Sequence, residues 1–366
     1  MKITDLSITL HTWDVPPVNY TGQASGGSKE VGVVTIATDE GVEGHSFLGT
    51  SGQGADEFVN EVITRLKPVV MGRNPLDIGA IWQDLWKRNR LVDTKSICAV
   101  DVALWDIAGK VANLPIHRLL GTVRESAPAY ASSAVLGSPE AYAEEALSFR
   151  EKGWTAYKIH PPRFWKDDIK VCEAVKKAVG DTMVLMLDST WCYGYEEALR
   201  VGLAVQEMGY YWYEDPLAED DLYGYVKLKQ KLDIPIMATE HSPGGLYGFT
   251  SWITEKATDF LRGDVALKAG LTPMVKICHL AEGFRIKCEI HHGGNSLNNV
   301  ANLHITMAVP NCEYFEVLQP DSAQKYGLVK DIEVDANGLV HAPTGPGLGY
   351  EIDWELVKRN QTRIVR

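Results

Sequence analysis

The chain has 366 residues, 45% of them hydrophobic and 23% charged, with a formal net charge of −12. That length holds one large domain or two modest ones with an ample core. The excess of acid argues against nucleic acid or an anionic membrane as partner, yet leaves room for a small anionic substrate if a bound cation reverses the local field. Met1–Thr4 leads straight into an alternating segment, with no basic–apolar leader and no apolar run of transmembrane length. The six cysteines form no CxxC pair, so reduced core thiols in a cytoplasmic protein are expected.

Residues 2–10 alternate with period two and predict a strand; Val31–Thr38 and Val42–Ser46 predict two more, joined by the turn Thr38-Asp39-Glu40-Gly41. Between the first two strands, Asp14–Glu30 is rich in Gly, Ser and Pro, with Tyr20 in its middle. It reads as a long irregular loop of the kind that forms a lid. Gly49–Gly54 reads as a second such loop. Glu57–Val69 and Ile78–Leu91 predict amphipathic helices, and Ser96–Leu120 predicts the longest helix, ended by Gly121. Asp101, Asp106 and Lys110 on it are expected to serve packing rather than catalysis. This opening predicts an α+β unit.

From Ala127 onward strands and helices alternate. Strands are predicted at Ala127–Ser133, Thr155–His160, Val184–Asp188, Tyr210–Glu214, Ile236–Glu240, Phe260–Asp264, Arg285–His291 and Glu313–Val317. Three consecutive strands close on an acid: Asp188, Glu214 and Glu240, spaced 26 and 26 residues apart. A strand, a loop and a helix take roughly 25 to 30 residues, so the acids end parallel strands of successive βα units. In a (β/α) barrel such ends converge on the face that carries active sites. Three carboxylates at one point repel unless a cation joins them, and hard oxygen ligands suit Mg²⁺. The tail from Leu328 departs from the rhythm and is expected to return to the N-terminal unit.

Four further candidates lie at strand ends. Lys158 and His160 share strand parity, so both can enter the mouth. Asp264 and His291 close adjacent strands about 4.8 Å apart, where the Asp can fix the tautomer of the His and raise its basicity. His292 has the opposite parity. Glu316 closes the last strand and can exchange a hydrogen bond with a substrate oxygen; Glu313, three residues back, is expected deeper. A Lys/His pair and an Asp–His pair flanking a dication suit removal of the proton α to a carboxylate through a metal-stabilised enediolate. Enolase-superfamily sites are built in this way, from a Lys or His base with one or two Mg²⁺.

The chain resembles the mandelate racemase branch of that superfamily, within the mandelate racemase/muconate lactonizing enzyme family, over nearly all its length. Ala99–Lys110 is similar to the family's first conserved helix. Tyr213-Glu214-Asp215-Pro216-Leu217 resembles its second metal-ligand motif, Asp259–Thr272 its dyad-aspartate stretch, and Pro346-Gly347-Leu348-Gly349 its C-terminal segment. The resemblance implies a modified TIM barrel, (β/α)7β, at residues 123–325, an N-terminal α+β capping domain at 1–122, and a C-terminal segment at 326–366 that completes the cap. It implies Mg²⁺ on Asp188, Glu214 and Glu240, His291–Asp264 as one acid/base, Glu316 on the substrate carboxylate, and a homo-oligomer. One departure stands out: the usual Lys-x-Lys is Lys158-Ile159-His160, and imidazole titrates some four units below an amine. Racemization needs two competent bases, whereas dehydration needs a base and an acid. The expected activity is therefore Mg²⁺-dependent dehydration of an aldonate or aldarate to its 2-keto-3-deoxy acid, with racemization or epimerization α to a carboxylate as the alternative. Specificity is expected in Asp14–Glu30, Gly49–Gly54 and the polar run His292–Asn299.

Overall fold

The computed structural model describes residues 1–22 and 24–366. Strands β1 (Ile3–Asn19), β2 (Ala24–Thr38) and β3 (Glu43–Leu48) form an antiparallel meander. The alternation read in the sequence buries Leu6, Ile8 and Leu10 of β1 with Val34 and Ile36 of β2. They meet the helix Thr94–Ala112, whose Ile97, Val100, Ala103, Leu104 and Ile107 are buried in the same cluster. This one face is the core of the cap.

Three expectations for the cap are corrected. Asp14–Glu30 is not an irregular loop: β1 and β2 stay paired out to Asn19 opposite Ala24, with the register slipping between Val15 and Val18. The slip falls at Pro16-Pro17, where a missing N–H is tolerated at a bulge. The segment is the arm of a β-hairpin with Tyr20, Thr21 and Gly22 at its tip; Gln23 lies outside the described residues. The helix expected over Ser96–Leu120 stops at Ala112, because Asn113 turns left-handed (φ 53°) and Pro115 has no N–H to continue it. A short helix, Ile116–Leu120, follows. Glu57–Val69 is a run of short helical turns from Ala55 to Val70, including a π turn at Val62–Leu66 ahead of Pro68.

Eight parallel strands then close a barrel: β4 (Ser126–Ser132), β5 (Ala156–Ile159), β6 (Val184–Asp188), β7 (Trp212–Glu214), β8 (Ile236–Ala238), β9 (Phe260–Gly263), β10 (Lys287–Ile290) and β11 (Phe315–Leu318), with β11 pairing back to β4. Each of the seven connections carries a helix, so the fold is a (β/α)7β barrel under an α+β cap. Its floor is a plug of Tyr130, Ala156, Met186, Trp212, Met237, Phe260 and Tyr314. With that end filled, the cavity among the strands opens at their C-terminal ends. Glu313 sits at the floor, paired with Lys287 and the Tyr211 hydroxyl. Two later strands tie the ends together: β12 (Leu339–His341) runs antiparallel to the start of β4, and β13 (Gln361–Val365) pairs with β1.

Polar residues of the long helix join cap to barrel. Asp101 accepts from the backbone N (2.9 Å) and Oγ1 (2.7 Å) of Thr272. A Cβ at Gly270 would come within 2.4 Å of the Asp101 carboxylate, so only glycine fits there. Asp106 accepts from the backbone of His45 and Leu348 and pairs with Lys110. All six cysteines are free, and five are buried. Among the described residues no helix is long and apolar enough to cross a membrane.

His304 makes a third junction. Its Nδ1 accepts from the His117 backbone N at 3.1 Å, and its Nε2 donates to the Leu348 carbonyl at 3.1 Å. Burial holds the ring neutral and lowers its pKa to about 3. The unfolded imidazole takes up a proton near pH 6.5, so the folded state loses stability as pH falls from there towards 3, by about 1.4 kcal/mol per pH unit for this one group. Urea unfolding at pH 7.5 and pH 5 is expected to show that loss, and His304→Gln to be less stable at pH 7.5 but to lose less on acidification. An equal loss in both proteins would remove His304 from the account.

Candidate active site

Asp188 and Glu214 end β6 and β7, and Glu240 follows β8 by two residues; the strand pairing sets Asp188 beside Glu214. One oxygen from each of the three lies within 4.8 Å of the others, and all three residues are buried. Burial raises the cost of charge at each. Asp188 is nevertheless held well below the usual carboxylate range by Lys158 and His160. Glu214 is pushed up by burial and by its neighbours Asp188 and Glu316, against the pull of Arg262 and Lys158. Hard, anionic oxygen donors at this spacing fit a small dication such as Mg²⁺, and a cation there relieves the mutual repulsion.

Two imidazoles flank the carboxylates. His160 Nδ1 lies 2.7 Å from the Ser133 carbonyl, which can only accept, so Nδ1 carries the proton and Nε2 faces Asp188 Oδ2 at 3.0 Å. His291 Nδ1 lies 2.6 Å from Asp264 Oδ2, and its Nε2 is 3.3 Å from Glu240 Oε1. Burial opposes charge on His291, but Glu240, Asp264 and Glu316 outweigh it and raise its pKa to about 9. Both rings are thus anchored through Nδ1 and offer Nε2 to one cavity of about 160 Å³, which Asp188, Glu240 and Glu316 also line. His292, by contrast, is buried and kept neutral, its pKa lowered to about 4 by that burial.

Lys158 is fully buried, and its Nζ lies 3.0 Å from Asp188 Oδ2, 3.0 Å from Glu214 Oε2 and 2.9 Å from Glu316 Oε1. Glu316 is held ionised by Arg262, Lys158 and His291 despite burial, so it accepts and does not donate. Strand-end position alone does not point to Arg262, a fully buried guanidinium whose Nε is 2.6 Å from Glu214 Oε1 and whose Nη2 is 2.6 Å from Glu316 Oε2. A signal for it exists in the sequence: Arg262 shares parity with Asp264 in a strand otherwise made to be buried, and a charge in such a place needs a partner.

The cavity roof comes from the cap. Tyr20 and Thr21, at the hairpin tip, line it together with Thr190, Trp191 and Leu318. The Tyr20 hydroxyl donates to the Gln319 carbonyl (2.6 Å) and accepts from Gln324 Nε2 (2.8 Å), and its ring meets His160 edge-on at 5.9 Å. Arg163 holds the tip by donating to the carbonyls of Thr21 and Thr190. Gly49–Gly54 does not line the cavity, nor does His292–Asn299. That run spends its amides inside the fold, Asn295 bonding Gly49 O and capping the helix Ser296–Ala308.

Residues 3–121 match the family described as mandelate racemase/muconate lactonizing enzyme, N-terminal domain, and residues 141–356 match the enolase C-terminal domain-like family. The chain belongs to the mandelate racemase/muconate lactonizing enzyme family of the enolase superfamily. It is similar to the D-glucarate dehydratase of Agrobacterium tumefaciens, solved as a magnesium complex, with a TM-score of 0.91 and 31% identity over 99% of this chain and 100% of that one. It is 30% identical over 303 residues to the L-talarate/galactarate dehydratase of Salmonella typhimurium, covering 79% of this chain and 73% of the relative. It is 26% identical over 339 residues to the arabinonate dehydratase of Saccharolobus solfataricus, covering 88% of each. Relatives named as a racemase and as cycloisomerases are also found.

Glu240 has fewer tight ion pairs than Glu214, so Glu240→Gln is the gentlest probe of the cation site. Wild-type protein at a Mg²⁺ concentration 100 times its Kd is expected to gain about 2.7 kcal/mol of stability. Glu240→Gln should melt near the wild-type temperature without Mg²⁺ and gain little on its addition. A full Mg²⁺-dependent rise in Tm in the variant would count against the site.

Proposed function

We propose that the chain is a Mg²⁺-dependent dehydratase of a sugar acid, an aldonate or aldarate, that forms the 2-keto-3-deoxy acid. One observation carries the reading: two imidazoles, each tied through Nδ1, present Nε2 to the same small cavity beside a carboxylate triad. Such a pair can take a proton from one carbon and give one to a departing hydroxyl. The named activities of the relatives support the same chemistry.

Mg²⁺ held by Asp188, Glu214 and Glu240 would supply the positive charge that makes a proton α to a carboxylate acidic enough to remove. Lys158 lies beside the triad and gives the substrate carboxylate an ammonium partner. Glu316 orients Lys158 and accepts from a substrate hydroxyl. One imidazole takes the α-proton onto Nε2. The other protonates the β-hydroxyl, which leaves as water as the C2–C3 double bond forms. The resulting enol takes a proton at C3 and becomes the 2-keto acid. Asp264 keeps His291 in the orientation and tautomer this requires. The partner is a small carboxylic acid, and six free cysteines fit a reducing, cytoplasmic setting.

Solvent exchange in D₂O separates the roles. If His160 is the base and His291 the acid, His291→Asn exchanges the substrate α-proton while forming little keto acid, and His160→Asn does neither. If His291 serves both steps, His291→Asn loses exchange too and His160→Asn keeps part of it. Asp264→Asn is expected to damage the same step as His291→Asn, with the double variant little worse than either single one. The dehydratase reading fails if wild-type protein equilibrates the configuration of a 2-hydroxy acid and yields no 2-keto-3-deoxy product from any acid sugar in a Mg²⁺-supplemented library. That outcome would leave a racemase or epimerase.

A further inference from the structure

At the centre of the barrel two carboxylates and two cations alternate in a closed ring. Glu214 Oε1 lies 2.6 Å from Arg262 Nε, an ion pair by distance without hydrogen-bond alignment, and Oε2 accepts from Lys158 Nζ at 3.0 Å and from Trp212 Nε1 at 3.2 Å. Glu316 gives Oε2 to Arg262 Nη2 at 2.6 Å and Oε1 to Lys158 Nζ at 2.9 Å. Each carboxylate has therefore divided its two oxygens between the two cations. The cations are not equivalent. Lys158 is a point charge on a flexible stem, shared among Asp188, Glu214 and Glu316. Arg262 is planar, always charged and fully buried. Its Nη1 also faces the Ile290 carbonyl at 3.4 Å.

For a dication entering among Asp188, Glu214 and Glu240, withdrawal of Lys158 would leave Glu214 Oε2 with only the neutral Trp212 indole as partner, whereas the Arg262 charge 2.6 Å from Oε1 would compete for that oxygen. Asp188 is similarly committed on one side, since Oδ1 accepts from the Thr190 backbone N at 3.0 Å. Two of the three ligands thus have a single oxygen to give. Mg²⁺ takes six oxygens in near-ideal octahedral geometry at about 2.0–2.1 Å, whereas Ca²⁺ takes roughly six to eight at about 2.3–2.6 Å and readily uses both oxygens of a carboxylate. We propose that Arg262 is a positioning residue that restricts Glu214 to one-oxygen ligation and so selects Mg²⁺ over Ca²⁺. This rests on the assignment of Asp188, Glu214 and Glu240 as the metal ligands.

The test is calorimetric titration of the metal-free protein with Mg²⁺ and, separately, with Ca²⁺, for wild type, Arg262→Gln and Arg262→Lys. Loss of the clamp is expected to raise the ratio of Ca²⁺ to Mg²⁺ affinity by about tenfold or more, the scale of effects seen when a group behind a metal ligand is removed. Arg262→Lys keeps a buried positive charge but cannot hold both carboxylates, so it should shift the ratio in the same direction and decides the matter if Arg262→Gln does not fold. A purely electrostatic or structural role would move both affinities together and leave the ratio unchanged, which would overturn the inference. A crystal structure of the wild-type protein with Mg²⁺ in which Glu214 binds through both oxygens would overturn it as well. Wild-type protein that takes up neither cation defeats the metal assignment itself. Mg²⁺ binding with an unmoved ratio defeats only the role of Arg262.

Discussion

Four carboxylates, from Asp188, Glu214, Glu240 and Glu316, share the mouth of a barrel whose other end is closed by aromatic and apolar side chains. Negative charge so concentrated and so poorly hydrated is sustained only by matching cations. Lys158 and Arg262 provide two, and the triad could hold a third in the form of a metal ion. Replacing either internal cation by a neutral group would leave buried charge without a partner, a far larger penalty than loss of an exposed ion pair.

The barrel is legible in the sequence because each strand that ends in a functional acid does so after an apolar run. The period from Asp188 to Glu240 reports the length of a βα unit directly. The cap is less legible. Asp14–Glu30 has the composition of a loop, yet its two halves pair with each other, and pairing across two half-exposed arms needs no apolar alternation. Local composition carries no record of what lies across the ladder. Ser96–Leu120 misleads in the opposite way, since its apolar period runs past a left-handed Asn113 that only the local turn reveals.

At the site, residues that end strands are visible in the sequence and those that act from within or from afar are not. Asp188, Glu214, Lys158, His160, Asp264 and His291 announce themselves by position and parity. Arg262 sits inside a strand, two residues before Asp264, and the more conspicuous acid hides it. Tyr20 reaches His160 from 140 residues away, a proximity that no spacing rule encodes. The polar run His292–Asn299 has the composition of a ligand-binding surface and instead serves the joint between barrel, cap and helix.

His160 stands where a second lysine is usual for the family, and the substitution changes more than acidity. A lysine side chain must freeze four torsions to hold its amine against a substrate, and each costs conformational entropy. The imidazole has two, and its Nδ1 bond to Ser133 together with the edge of Tyr20 leaves little freedom in either. Nε2 is therefore set in place before any ligand arrives. The exchange is one of reach for rigidity: Nε2 sweeps a narrow arc, and a substrate must carry its reacting carbon to that arc rather than be followed by the side chain. On the dehydratase reading, alignment of the reactive centre would then fall to the groups that hold the substrate's two ends, the hairpin tip at the cavity roof among them.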